Sequence, residues 1–281
     1  MEAEIFYFSG TGNSLVIARD IAIRLDAREI PIASLIDKVT VRSDADVVGI
    51  VFPVHNVANG GVPAIVRRFA AALQTRYDAY IFAVCSCGAG SGEALPNIAK
   101  ILQTTGQKLA AGFTVKMPFN CPPFTDRAAQ AQRFQEWHKI LEEVCATVMD
   151  YREIEIKEFN AIIKGAVLPL GVLMQRSILK NYRKLAQDNS LDFDEAVRHS
   201  DRSYEVDDKC DGCGICAGIC PVDNIAMADE RPAWRHRCES CLACLVWCPR
   251  TAISGGILSG REERYHHPRV KLKDMLQQKT R

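Results

Sequence analysis

The chain has 281 residues, 48% of them apolar and 25% charged, enough to bury one or two ordinary hydrophobic cores. With 35 basic against 34 acidic side chains the formal charge is +1, so no overall field draws it to nucleic acid or to an acidic membrane surface, and neither is expected as a partner. The opening Met1-Glu2-Ala3-Glu4, followed directly by apolar Ile5-Phe6-Tyr7-Phe8, lacks the basic region and cleavage site of a secretory signal, and a cytoplasmic location is expected.

Residues 1–150 alternate apolar strand-like runs with amphipathic helical ones, the pattern of a parallel sheet covered on both faces. Strands are predicted at 4–9, 29–33, 46–53, 79–86 and 112–117, and helices at 13–25, 63–73, 92–102 and 125–150. The crossover 34–45 is too brief for a full helix. Function is expected at the C-terminal ends of the strands, where open α/β sheets bind ligands and where Gly, Pro, Asn and Cys collect here.

Beyond Asp150 the alternation stops. Residues 153–187 read as mostly helical, and the polar run DNSLDFDEAVRHSDRS marks the expected domain junction. The apolar stretch 161–175, AIIKGAVLPLGVLMQ, falls short of the roughly 20 residues that span about 30 Å of hydrocarbon, and Lys164 and Pro169 interrupt it. It reads as a buried helix pair or domain-bridging segment, so no membrane span is expected. The predicted organisation is a sheet domain over 1–150, a helical linker over 151–203, a cysteine-rich domain over 204–256 and a basic, solvated tail over 257–281.

Under reducing conditions the chain's 12 cysteines are better read as metal ligands or buried thiols than as disulfides. Eight are patterned: Cys210, Cys213, Cys216, Cys220, Pro221 and Ile225 recur 28 residues later as Cys238, Cys241, Cys244, Cys248, Pro249 and Ile253. Each copy reads C-x2-C-x2-C-x3-C-P. Three thiolates on one tight loop cap three irons of a cubane, and in this pattern the fourth cysteine ligates the other cluster. The expected sets are Cys210, Cys213 and Cys216 with Cys248, and Cys238, Cys241 and Cys244 with Cys220. The competing reading is a pair of structural zinc sites, but these use C-x2-C pairs rather than triplets. Of the other thiols, Cys85, Cys121 and Cys145 read as inert packing, and Cys87 stands at the end of the fourth strand.

The first strand empties into Ser9-Gly10-Thr11-Gly12-Asn13-Ser14, and a helix begins at once. Successive backbone N–H groups, the positive end of the helix dipole and four hydroxyl or amide side chains make an anion cradle. A Walker loop is excluded by the missing Lys, and a dinucleotide fingerprint fails at Leu15. A plain strand-to-helix turn is the alternative.

The cysteine repeat resembles the bacterial two-cluster ferredoxins in every ligand and both prolines, over about a fifth of the chain, which implies low-potential single-electron transfer. The first domain resembles flavodoxins, whose loop S/T-x-T-G-x-S/T holds the FMN phosphate; Ser9, Thr11, Gly12 and Ser14 match it, with Gly10 and Asn13 at the free positions. That resemblance implies that the loops after the third and fourth strands flank the isoalloxazine. They map here onto 53–62, with Pro53, Val54, His55 and Asn56, and onto 86–93, with Ser86, Cys87 and Gly88. Neither loop carries the aromatic ring that flavodoxins usually stack on the flavin; His55 is the nearest planar group, with Phe119 and Phe124 of the Pro-rich loop as alternatives. Taken whole, the chain resembles the ferrodoxin family, which fuses these two modules in this order. The implied fold is α/β, a flavodoxin-like, doubly wound five-stranded parallel sheet, joined to a small α+β two-cluster ferredoxin domain.

Three function classes follow. One is an electron carrier passing single electrons between FMN and two [4Fe–4S] clusters, with a redox protein as donor or acceptor. The second is a flavin-dependent reductase of an organic substrate, for which only His55 and Glu93 stand in the relevant loops as acid–base groups. The third is a ferredoxin with an FMN-free docking domain. Common to all is the thiol array: anaerobic reconstitution is expected to give about eight irons and eight sulfides per chain, and zinc in their place, measured by elemental analysis, would overturn the cluster assignment.

Overall fold

The computed structural model describes residues 1–156, 161–258 and 264–279, without the side chains of 58 and 161–170. Strand β1 (Ala3–Tyr7) is buried along its whole length and leads into α1 (Asn13–Leu25), which ends where Asp26 turns left-handed at φ 51°. Then follow β2 (Arg28–Pro31), a 3-10 turn at Ile32–Leu35, β3 (Val41–Ser43), β4 (Val47–Pro53), α2 (Ala64–Ala72), β5 (Leu73–Thr75), β6 (Tyr80–Cys87), α3 (Ala94–Thr104), β7 (Leu109–Lys116) and α4 (Arg127–Met149). The main sheet is parallel throughout, in the order β2-β1-β4-β6-β7. The apolar runs of β4 and β6 leave no polar face, as expected of strands covered on both sides. Helices α1 and α4 pack together, as do α2 and α3, one pair to each face. This is the parallel sheet covered on both faces that the alternating pattern implied, in the doubly wound, flavodoxin-like strand order that the resemblance implied.

Two local features differ from expectation. Strands β3 and β5 form a separate parallel pair; at three residues each they are too short to show a period of two. Strand β7 begins at Leu109, three residues before the predicted start, because Ala110, Ala111 and Gly112 give no alternation of bulk. Small residues matter there: a Cβ on Gly112 would meet Ile156 and Leu95, and the chain after α4 returns to this edge through Ile154 N–H donating to the Ala110 carbonyl.

The second half holds α5 (Ala161–Ala186), α6 (Phe193–Arg198), β8 (Glu205–Val206), α7 (Ile215–Ile219), β9 (Ile225–Ala228), β10 (Arg231–Trp234), α8 (Ala243–Val246), β11 (Ile253–Ser254) and α9 (Leu272–Gln277). Helix α6 starts at a reciprocal cap in which Glu195 N–H donates to the Asp192 carboxylate and Asp192 N–H to that of Glu195. In the cysteine-rich unit β8 pairs with β11 and β9 with β10, both antiparallel, and the short helices α7 and α8 touch, so the sequence repeat becomes a pseudo-two-fold.

Two sequence expectations need correction. The stretch 161–175 is not a helix pair: α5 runs through Pro169 as one helix of 26 residues. Its bridging role is carried at the far end, where α5 packs on α6, on the 3-10 segment His199–Ser203 and on the turn Val57–Asn59 of the sheet domain; the apolar side chains of 161–170 lie outside the described residues. The tail is not a solvated surface either. Tyr265, His267, Val270, Met275 and Gln278 are buried, because the segment from Arg264 crosses back over the sheet domain before α9 reaches the cysteine-rich unit. Among the described residues no helix is long and apolar enough to cross a membrane.

The tightest point of the sheet core is Gly49 in β4, where a Cβ would stand 2.6 Å from Phe82 and 2.8 Å from Ile5. Gly49→Ala is expected to destabilise the sheet domain by about 1–3 kcal/mol through overpacking, measured as a lower urea midpoint at unchanged slope.

Candidate functional site

A cavity of about 400 Å³ opens at the C-terminal edge of the sheet, within the range that small cofactors occupy. Its walls bring together the Ser9–Ser14 loop, the loop after β4 with Pro53, Val54 and His55, and the loop after β6 with Ser86, Cys87 and Gly88. Two expected residues face elsewhere. Gly12, at φ 99°, turns toward Val270 and His267 of the tail, and Asn56 hydrogen-bonds the Tyr182 hydroxyl of α5. Sequence reasoning did not foresee Met117, Pro118, Asn120, Met174 or Cys241 in the wall; only Met117, Pro118 and Asn120, which follow the last strand of the sheet, carried a positional signal.

The cradle loop is held in one conformation by its own side chains. Ser9 Oγ accepts from Gly12 N–H at 3.1 Å, Ser14 Oγ and Ser86 Oγ share a hydrogen bond of 2.8 Å, and Asn13 Nδ2 donates to the Pro118 carbonyl at 3.0 Å. The first N–H groups of α1 have no partner within the helix, and they point where an anion would sit. No lysine takes part. Phe119 supplies the aromatic wall: it covers Gly88 so closely that a Cβ there would be 2.4 Å from the ring, and Arg133 stacks 5.5 Å above it. Phe124 is not in the wall. His55, edge-on to Phe8 at 6.0 Å, is pushed down to about 4 by burial, opposed only by its hydrogen bond to the Glu239 backbone, and is neutral at pH 7. Burial raises the Cys87 and Cys121 thiols, both in the cavity wall, so neither is a ready nucleophile. Volume, neutral donors, a helix terminus and one aromatic wall fit FMN.

Across the domain boundary the thiols gather in two sets. Cys220, Cys238, Cys241 and Cys244 line one cavity with Tyr204 and Trp234. Cys216 feels the charges of Cys248, Cys213 and Cys210. Burial is the first cause that pushes Cys216 up to about 11 and Cys238 to about 12, and it carries Cys241 and Cys244 well above the ordinary thiol value, with mutual thiolate repulsion adding to it. Thiols so placed ionise only if a cationic group enters among them. Other features suit sulfur-rich occupants. Backbone N–H groups of Asn224, Ser240 and Ala252 already point at the sulfurs of Cys220, Cys238 and Cys248 at 3.3–3.4 Å. Trp234 Nε1 is buried without a partner, alone in this among side-chain nitrogens and oxygens of the described residues, and its ring lines the Cys220 cavity. Iron–sulfur cubanes fit both sets; among the described residues no three acidic, His or Cys side chains converge on a single ion.

The two sites meet. Cys241 belongs to the thiol set and also to the wall of the sheet-edge cavity. Its carbonyl lies against Gly10, where a Cβ would come within 2.1 Å of it, and Trp247 Nε1 donates to the Gly10 carbonyl at 3.0 Å. Glu239, buried, accepts from Ile65 N–H at the start of α2 and from Arg68, at 3.0 and 2.8 Å. Tyr182 of α5 shares a hydrogen bond of 3.1 Å with Ser240. The loop 238–241 is thus bonded to the sheet domain through Glu239, to α5 through Ser240 and to α6 through Cys238 N–H, and it lies against Gly10 at Cys241.

The family model described as a 4Fe-4S binding domain matches residues 204–226, which contain Cys210, Cys213, Cys216 and Cys220. Among solved structures the chain is similar to a flavodoxin of Streptococcus pneumonia TIGR4, 16% identical over 52% of this chain and 99% of that one, with a TM-score of 0.35. It is also similar to the two-electron reduced flavodoxin of Megasphaera elsdenii, 20% identical over 48% of this chain and 96% of that one, with a TM-score of 0.33. None of the curated proteins matches it. The chain therefore combines a sheet of flavodoxin-like topology with a 4Fe–4S ferredoxin-type domain.

If the thiol sets cross between the repeats, Cys220→Ala will abolish the cluster that Cys238, Cys241 and Cys244 mainly hold and leave the other intact. Electron paramagnetic resonance on the reduced variant tests this: damage confined to the Cys210 half would refute crossing.

Proposed function

We propose that the protein passes single electrons between a redox protein partner and FMN by way of two [4Fe–4S] clusters within one chain. The observation that carries this reading is the double membership of Cys241, a cluster-ligand candidate whose residue forms part of the flavin cavity wall. Transfer by tunnelling falls steeply with distance, and a shared wall is the shortest separation two sites can have. FMN, when bound, supplies a centre that takes electrons singly or in pairs, and the clusters exchange them singly.

The chain's own residues divide the work as follows. The Ser9–Ser14 loop holds the phosphate through backbone N–H groups, hydroxyls and the α1 terminus. Phe119 and the loops 53–57 and 86–92 enclose the ring. His55, neutral, offers a hydrogen-bonding group to the cavity while its bond to Glu239 ties it to the cluster loop. Cys220, Cys238, Cys241 and Cys244 form the set nearer the flavin. The other set contains Cys213, the one solvent-exposed cysteine among those described, and so presents the face on which an external partner exchanges electrons.

Gly10→Ala tests the shared wall directly, since the new Cβ must displace the Cys241 carbonyl. With clusters reduced in a rapid-reaction instrument, wild-type flavin reduction is expected to be independent of protein concentration, and the variant to be slower by about tenfold or more. A wild-type rate proportional to protein concentration would mean transfer between molecules and would end the single-path reading.

A further inference from the structure

The tail from Arg264 to Lys279, expected from its composition to be solvated, is instead bonded to the Ser9–Ser14 loop. Tyr265 OH donates to Asn13 Oδ1 at 2.7 Å, and His267 N–H donates to the Thr11 carbonyl at 2.9 Å. Gly12, between those two loop residues, faces Val270 and His267, where a Cβ would meet them at 3.0–3.1 Å. The tail is itself anchored: Arg269 makes a two-bond contact with the buried carboxylate of Asp20 on α1, at 2.9 and 2.6 Å, and Trp137 Nε1 donates to the same carboxylate at 2.8 Å. Its far end reaches the cluster domain, where Leu276 packs over Gly218 and Lys279 pairs with Asp223. His266 stacks on Trp247, whose indole holds the Gly10 carbonyl.

We propose that the C-terminal segment is a working part of the flavin site: Tyr265, His267 and Arg269 act as positioning residues that brace the Ser9–Ser14 loop for the phosphate of FMN. The argument rests on where the loop's acceptors go. An anion cradle works only if its carbonyls point away from the anion and its N–H groups toward it. Here the Gly10 and Thr11 carbonyls and the Asn13 side-chain oxygen are all taken up by donors behind the loop, from Trp247, His267 and Tyr265. With those oxygens engaged, the loop is pre-set with donors outward, and binding an anion requires less ordering. Without the tail two of the three lose their partners, and the loop is free to turn a carbonyl toward the phosphate. Because Arg269 ties the strap to α1 and Lys279 ties it to the cluster domain, the same segment also couples the fold of one domain to ligand affinity in the other.

This rests on the FMN reading, and the experiment separates the two. Full-length protein with its clusters assembled anaerobically is titrated with FMN and with riboflavin, following flavin fluorescence, for wild type, Tyr265→Phe and Arg269→Ala. Tyr265→Phe removes one hydrogen bond without changing shape and is expected to weaken FMN about three- to tenfold, with Arg269→Ala at least equal to it. Riboflavin, which has no phosphate, should shift less than twofold, and iron content should be unchanged. Unchanged FMN affinity in both variants, or equal weakening of FMN and riboflavin, would overturn the strap while leaving the flavin site standing. Wild-type protein that binds neither flavin would remove the FMN reading and the strap with it.

Discussion

The structure depends on one close approach: the backbone of Gly10, in the loop after the first strand, against the backbone of Cys241, in the second cysteine triplet. No side chain other than hydrogen leaves room there, and the Trp247 indole fastens the same peptide from the other side. Contacts between the two modules gather near this point. The cavity at the sheet edge gains a wall from Cys241, and the cysteine-rich unit is bonded to the sheet domain through Glu239 and Trp247 and to α5 through Ser240.

Buried polar contacts add direction to the apolar packing at this junction. Glu239 is the clearest case. Its carboxylate is buried, yet it caps the first turn of α2 and pairs with Arg68, so that the charge is met by a helix terminus and a guanidinium together. Asp20 does the same for the tail with Arg269 and Trp137. Buried carboxylates with two or more donors fix orientation as well as contact, because each donor direction must be satisfied at once.

The thiol pattern was readable because it is local: each triplet of cysteines falls within seven residues of one loop. Strand and helix positions in the first half were readable for a similar reason, since burial on both faces writes continuous apolar runs and amphipathic helices write a period of 3.6. The parts that escaped were of two kinds. Strands β3 and β5 were too short to carry a period. The tail and the single long α5 were misjudged because what decides them lies far away in the chain: Tyr265 meets Asn13 across 252 positions, and Arg269 meets Asp20 across 249. Basic, histidine-rich composition looks the same on a solvated surface as on a strap whose arginine has found a buried carboxylate.

The sequence by itself therefore carried the local patterns and the sheet fold: eight cysteines in two copies of one spacing, a neutral Gly- and hydroxyl-rich loop after the first strand, and a five-strand α/β alternation. Only the tertiary structure decided the relation between them. It brought Cys241 into the wall of the cavity, turned Gly12 and Asn56 away from it, set Phe119 over Gly88 as its aromatic side, and laid the tail behind the phosphate loop. The reason is physical. Local spacing sets which atoms one loop can present, whereas the meeting of two loops depends on packing and paired hydrogen bonds between segments more than 200 residues apart, and nothing in either segment taken alone records its partner.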